Sequence, residues 1–361
     1  MRSKLKSYIF CVLGWTSANL LFMLIRFVGL DTVPAFVSLD YNSFNHELFF
    51  YKAIVLGILL GSVFYLVSRA LDTAPIRRRP YWVSIVLQLI VSLFSVTLVL
   101  IALKTWEIIQ LHKAFTLEEF ASRIFTVNFL VLLTYYLVVS LIMVMTNQID
   151  RKFGPGNLRK LILGVFYHPR SIEHIFMFLD LKDSTSHAER LGHIKFGNLI
   201  QDCFMDMSVV SDFGTSFYQY VGDEAILYWE VADGMKNANC LQAYFAFIHK
   251  LDARKDYYWE RYGMIPEFKA GANIGMATVM EVGEIKREIA YLGDVLNTAA
   301  RIQGMCKVYK ENLLISEWLF NRLKFVPEFL EIQPVGTVEL RGRTDAVRLF
   351  RVREKSANHS T

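Results

Sequence analysis

Hydrophobic and polar positions follow two different rhythms along this chain. In the first 146 residues, apolar side chains run almost unbroken through four stretches, about 8–29, 48–68, 81–103 and 124–146. Each has the roughly 20 apolar residues that an α-helix needs to cross a hydrocarbon layer. From His174 onward the runs shorten and alternate between strand-like and helix-like segments. HIFMFLDLK reads as a buried strand, and the segment after it as helix to about Phe213. FYQYV and AILYWE read as two strands joined by a tight turn, followed by helix from about Asp233 to Tyr262. FKAGANIGMATVMEVG and EIAYLG read as strands, and Asp294 is placed to N-cap a helix VLNTAARIQGMC. A helix ISEWLFNRL and strands VGTVELRG and AVRLFRV complete the pattern.

These rhythms predict a transmembrane domain over 1–149, a juxtamembrane linker over 150–173, an α+β domain over 174–354 and a polar tail over 355–361. The linker contains FGPG, which breaks the fourth span, and NLRKLILGVF, with Leu158, Leu161, Ile162 and Val165 on one side of a short amphipathic helix. It reads equally as a plain tether or as an element transmitting a signal.

Composition agrees: 53% of the 361 residues are hydrophobic and mean hydropathy is +0.31. A cleaved signal peptide does not explain the first run, which is too long, lacks a small-residue cleavage site and precedes three more spans. Charge gives the orientation. Arg2, Lys4 and Lys6 precede the first span, Arg77, Arg78 and Arg79 separate the second and third, and Arg151, Lys152, Arg159 and Lys160 follow the fourth. The loop after the first span carries only Asp31, Asp40 and Glu47, and the loop after the third is mixed. The positive-inside rule then predicts a multi-pass protein of the inner (plasma) membrane, with both termini and the α+β domain cytoplasmic. The net charge of +5 is mostly this topology signal and is not read as nucleic-acid binding. Cys11, Cys203, Cys240 and Cys306 are dispersed, with no zinc-type spacing.

Three stretches put polar groups where packing alone does not ask for them. Asp180 interrupts the apolar strand in FMFLDLKDST, and Asp183, Ser184 and Thr185 would open a helix whose free N–H groups can bind an anion. In YQYVGDEAILYW a second carboxylate, Asp223, sits at a hairpin tip, with Glu224 expected to be the solvated half of that tip. Two acids on neighbouring strands could hold two divalent metals around a phosphoryl transfer. In YLGDVLNTAARI, Asn297 and Arg301 are four residues apart and share a helix face. Arg341 and Arg343 flank a glycine in ELRGR, a candidate polyphosphate contact.

The order FLDLKDST, VGDE, GDVLNTAARI, LRGR resembles the class III nucleotidyl cyclases, most closely the bacterial membrane-anchored adenylate cyclases, over about residues 172–353. The resemblance implies a ferredoxin-like βαββαβ core working as a head-to-tail homodimer with composite active sites. It implies that Asp180, Asp223 and the Leu181 carbonyl bind two Mg2+ or Mn2+ ions per site. Asn297 and Arg301 would reach in from the partner subunit to position the ribose and stabilise the transition state, and Arg343 would meet the terminal phosphates. The implied reaction converts ATP to 3′,5′-cyclic AMP and pyrophosphate. Two positions depart from the family pattern: the base-reading Lys is Gln219 here, and its Asp or Thr partner is Ala290. Gln219 can donate and accept toward a purine edge, whereas Ala290 offers only backbone. A guanylate cyclase and a silent nucleotide-sensing module stand as alternatives, while a diguanylate cyclase would need the second glycine and the Phe that VGDE lacks.

Overall fold

The computed structural model describes residues 2–30, 46–72, 76, 79–111, 127–153, 160–161, 163–339 and 346–355. The chain divides into two compact units, Met1–Lys152 and Phe153–Thr361.

The first unit contains α1 (Arg2–Leu30), α2 (His46–Ala70), α3 (Tyr81–Leu111) and α4 (Val127–Phe153). Each is long and apolar enough to cross a membrane, over Ser7–Ile25, Phe50–Ala70, Trp82–Leu103 and Phe129–Asp150. Exposed Leu, Ile, Val and Phe cover the outside, while Trp15, Phe64 and Tyr136 are buried between helices. Some polar groups inside the unit pair with one another, as their cost in an apolar setting favours, whereas Trp15 Nε1, Thr16 Oγ1, Ser92 Oγ and Ser140 Oγ are buried without a hydrogen-bond partner. Tyr136 Oη donates to Asn19 Oδ1 at 2.6 Å, and Asn19 Nδ2 donates to the Trp15 carbonyl at 2.8 Å. Glycines let α1 and α2 touch backbone to backbone: a Cβ on Gly57 would lie 2.5 Å from Thr16 Cα, and one on Gly61 2.6 Å from Val12 Cα.

The second unit is built on a twisted sheet. Its elements are β1 (Arg170–Leu181), α5 (Ser184–Leu191), α6 (His193–Asp206), a 3-10 segment (Met207–Phe213), β2 (Ser216–Val221), β3 (Glu224–Glu230), α7 (Asn239–Asp252) and α8 (Lys255–Tyr262). Then follow β4 (Phe268–Val282), β5 (Glu288–Leu292), α9 (Asp294–Tyr309), β6 (Leu313–Ser316), α10 (Glu317–Arg322), β7 (Leu330–Glu339) and β8 (Ala346–Glu354). The sheet order is β2-β3-β1-β4-β6-β8-β7, with β5 pairing β4 off that path. Its first four strands, with the helices after β1 and β3, form the βαββαβ core.

β1 is central because it is apolar on both faces. Ile175, Met177 and Leu179 pack into one core with α6 and α7, while Phe176 and Phe178 face a second core with Val295 and Ala299 of α9. This is the two-residue period of a strand covered on both sides.

Three local features differ from the sequence pattern. The helical run expected over 233–262 is broken, because Asn237 and Ala238 take left-handed backbone (φ 54° and 53°) before α7. Gly293, not Asp294, occupies the cap position of α9; a Cβ there would meet the Met276 carbonyl oxygen at 2.9 Å. Strand β1 begins at Arg170 inside the expected linker, and Phe166 is buried in the domain core, its carbonyl accepting the Glu281 N–H at 2.8 Å. Part of the expected amphipathic linker helix, residues 157–159 and 162, lies outside the described residues.

Candidate active site

Strand pairing brings acids from separate parts of the chain to one end of the sheet. Asp180, near the end of β1, stands opposite Glu224 of β3 on one side and Lys269 of β4 on the other. Gly222, with φ 62°, makes the β2–β3 turn that a side chain would resist, and Asp223 follows it. Asp180 Oδ2 receives Lys269 Nζ at 3.1 Å and Gln303 Nε2 of α9 at 3.0 Å.

These carboxyls strain one another. Burial raises the Asp180 pKa, and the adjacent Asp223 adds to the rise while Lys269 opposes it. Burial, then the charges of Asp180 and Asp223, push Glu224 up to about 7. Glu224 is therefore not the solvated tip residue its place beside glycine suggests; it is half-buried and belongs to the acid cluster.

Helix α9 lies against β4, with its N-terminal part at Gly275 and Asn273 and Gln303 at Gly271. Asn297 is exposed and Arg301 half-buried. At about 100° per residue, Arg301 lies about 200° around the helix from Gln303. The face carrying Asn297 and Arg301 is thus turned away from the face whose Gln303 meets Asp180.

No family model matches the chain. Among curated proteins it is 31% identical over 212 residues to Adenylate cyclase 2 of Rhizobium meliloti (strain 1021), covering 58% of each chain. It is 28% identical over 185 residues to an adenylate cyclase of Anabaena cylindrica, covering 49% of this chain and 36% of that one. The chain thus spans little more than half the length of the first of these relatives and about a third of the second. Among solved structures, a bacterial light-regulated adenylyl cyclase superposes with TM-score 0.50 at 16% identity, over 61% of this chain and 65% of that one. The second unit has the class III cyclase fold.

Within this domain the other expected residues are spread out. Leu181 is buried beside Asp180. Exposed Asp183 takes left-handed backbone (φ 50°) just before α5, so Ser184 and Thr185 open a helix as expected. Gln219 is exposed on β2 next to a register shift, and Ala290 is half-buried on β5 opposite Met280. Their neighbours Tyr218 and Tyr291 meet edge to face at 5.0 Å, so the two positions come from segments that touch. Arg341 and Arg343 lie outside the described residues.

Sequence reading missed Lys269, Gln303 and Glu224. Lys269 had one visible signal, a lysine entering an otherwise apolar strand. Gln303 had a fainter one, a polar residue on the buried stripe of α9.

Asp180 and Asp223 are the candidate ligands for a divalent cation in this domain. Asp223 Oδ2 is buried with no hydrogen-bond partner, which is costly unless a positive group is to meet it. Among the described residues no group of three or more His, Cys, Asp or Glu is arranged to hold a metal. Two carboxylates suffice for a Mg2+-type ion, which completes its shell with water and substrate phosphates. The donor set fits.

Proposed function

We propose that this chain is a membrane-anchored adenylate cyclase that converts ATP to 3′,5′-cyclic AMP and pyrophosphate. The observation that carries the reading is the meeting of Asp180 and Asp223 at one sheet end, with Asp223 Oδ2 buried and unpartnered. Asp180, Asp223 and the Leu181 carbonyl are the groups that would hold Mg2+ or Mn2+, two ions per site. Bound there, the ions supply charge neutralisation at the phosphates and a lowered pKa at the attacking hydroxyl. The N–H groups opening α5 at Asp183, Ser184 and Thr185, with Arg341 and Arg343, hold the polyphosphate. The ribose 3′-oxygen attacks the α-phosphate and pyrophosphate leaves. Asn297 orients the ribose, and Arg301 neutralises charge that develops in the transition state.

The active unit in this reading is a head-to-tail homodimer with composite sites. Its support is geometric: Asn297 and Arg301 face away from their own Asp180, so they serve a site on a second copy. Met276, Ile285 and Leu292, exposed on the β4–β5 hairpin, offer apolar surface for that contact. The relatives' names favour ATP, and Gln219 with Ala290 forms the base pocket. The basic segments flanking the spans put both termini and the cyclase domain on the cytoplasmic side.

Purified full-length protein, incubated with ATP or GTP and Mg2+ or Mn2+, tests the reading. Cyclic AMP from wild type, with loss of product in Asp180→Ala and Asp223→Ala, is expected. Cyclic GMP alone would replace ATP by GTP, and no product from either nucleotide would sink the enzyme reading in favour of a silent nucleotide sensor. Mixing Asp223→Ala with Arg301→Ala should restore part of the activity through one intact composite site. No recovery in confirmed heterodimers would refute the shared site.

A further inference from the structure

We infer that Gln303 is a positioning residue, tying the cation-binding carboxylate of Asp180 to the helix that carries Asn297 and Arg301. The inference rests on the cyclase reading above and adds to it a residue that the sequence motifs do not contain.

Gln303 is 6% exposed on a helix whose neighbouring buried positions, Ala299, Ile302 and Cys306, are small or apolar. An apolar side chain would fill such a position without desolvating an amide, so the amide marks a specific partner. That partner is Asp180 Oδ2, at 3.0 Å. The other donor on the same oxygen is Lys269, a flexible ammonium that restrains direction poorly. Gln303 in turn is held by its backbone. A Cβ on Gly271 would lie 2.1 Å from Gln303 N and 2.5 Å from its Cα, so α9 sits directly on β4 at this residue. The amide that orients Asp180 is therefore fixed to the sheet and to α9 together.

Two residues earlier on α9 stands Arg301. In a head-to-tail dimer, one helix then steadies the carboxylate of its own site by Gln303 and presents Asn297 and Arg301 to the other. Removing the amide leaves Asp180 with Lys269 alone, and the carboxylate loses its fixed orientation toward Asp223. Partners that orient a metal ligand typically govern affinity by about 10–100-fold.

The test uses full-length protein in detergent and Mn2+ binding without nucleotide, followed by electron paramagnetic resonance. Gln303→Met keeps the length of the side chain and removes the donor; Asp180→Asn is the reference. We expect Asp180→Asn to abolish high-affinity Mn2+ binding and Gln303→Met to weaken it about tenfold. In turnover, the Mn2+ activation constant should rise by the same factor, while KM for ATP at saturating Mn2+ stays unchanged. A purely structural glutamine would lower the melting temperature and leave Mn2+ affinity alone, and that result overturns the inference. Should Gln303→Met not fold, Gln303→Asn, whose amide falls one methylene short, must show the same loss, and unchanged affinity there overturns it equally. Undiminished Mn2+ binding in Asp180→Asn would instead overturn the cation site itself.

Discussion

Replacing Glu224 with Gln should stabilise the metal-free protein at pH 8 and leave it unchanged at pH 4. Glu224 stands opposite Asp180 across the β1–β3 pair and follows Asp223 directly, so three carboxyls share one end of the sheet. Burial, then the charges of Asp180 and Asp223, raise its pKa from 4.5 to about 7, with Lys269 pulling the other way. A carboxyl with a raised folded-state pKa holds its proton more tightly when folded. Its contribution to stability is therefore full below 4.5 and is lost as pH rises through about 7. At about 1.4 kcal/mol per pH unit the ceiling is about 3 kcal/mol. Glu224 is only half-buried, so solvent screening brings the expected gain from Glu224→Gln to about 1 kcal/mol. Urea unfolding of the full-length protein in detergent with a chelator, at pH 4, 6 and 8, measures it. Trp229 is a suitable fluorescent reporter, fully buried with its indole N–H on the Phe213 carbonyl at 3.2 Å. Saturating Mn2+ should shrink the gain, because the added positive charge relieves the same repulsion. An equal gain at every pH, or none at pH 8, would refute the reasoning.

Other outcomes follow from the two cores. Asp206→Ala should cost about 3 kcal/mol in urea unfolding, since nearly buried Asp206 accepts Arg254 Nη1 and Tyr258 Oη, each at 2.6 Å, and both would be left unpaired; a loss under about 1 kcal/mol would show that water replaces the carboxylate there. His174 is buried against Tyr228 and Phe176, and burial lowers its pKa. Its unfolded form takes up a proton first, so stability falls as pH drops below about 6.5; His174→Phe should flatten that acid limb, and an unchanged slope would assign it to other groups. Gly61→Val should push α1 from α2 at Val12 and lower thermal stability in detergent by about 1–3 kcal/mol; an unchanged melting profile would mean the two helices part without cost.

How much of this was legible in the sequence depends on the range over which each residue acts. Spans, strands and helices come from local periodicity, so they stand close to where the apolar pattern puts them. Helix α5 opens at Ser184 because Asp183 and the polar residues after it are local signals. The break before α7 was hidden, since nothing in NANC announces left-handed backbone at Ala238.

Sequence by itself determined the two-part organisation, the buried character of β1 and the presence of acids at Asp180 and Asp223, because each is written in neighbouring residues. Only the tertiary structure decided what surrounds those carboxylates. Lys269 lies 89 positions after Asp180 and Gln303 lies 123 after it, and both reach one oxygen only because β4 pairs with β1 and Gly271 lets α9 settle on β4. Glu224 likewise reads as a solvated turn residue until strand register sets it across from Asp180. The physical reason is the same in each case. Hydrophobic periodicity reports which face of an element is buried, whereas desolvation and charge at a site depend on which elements meet there.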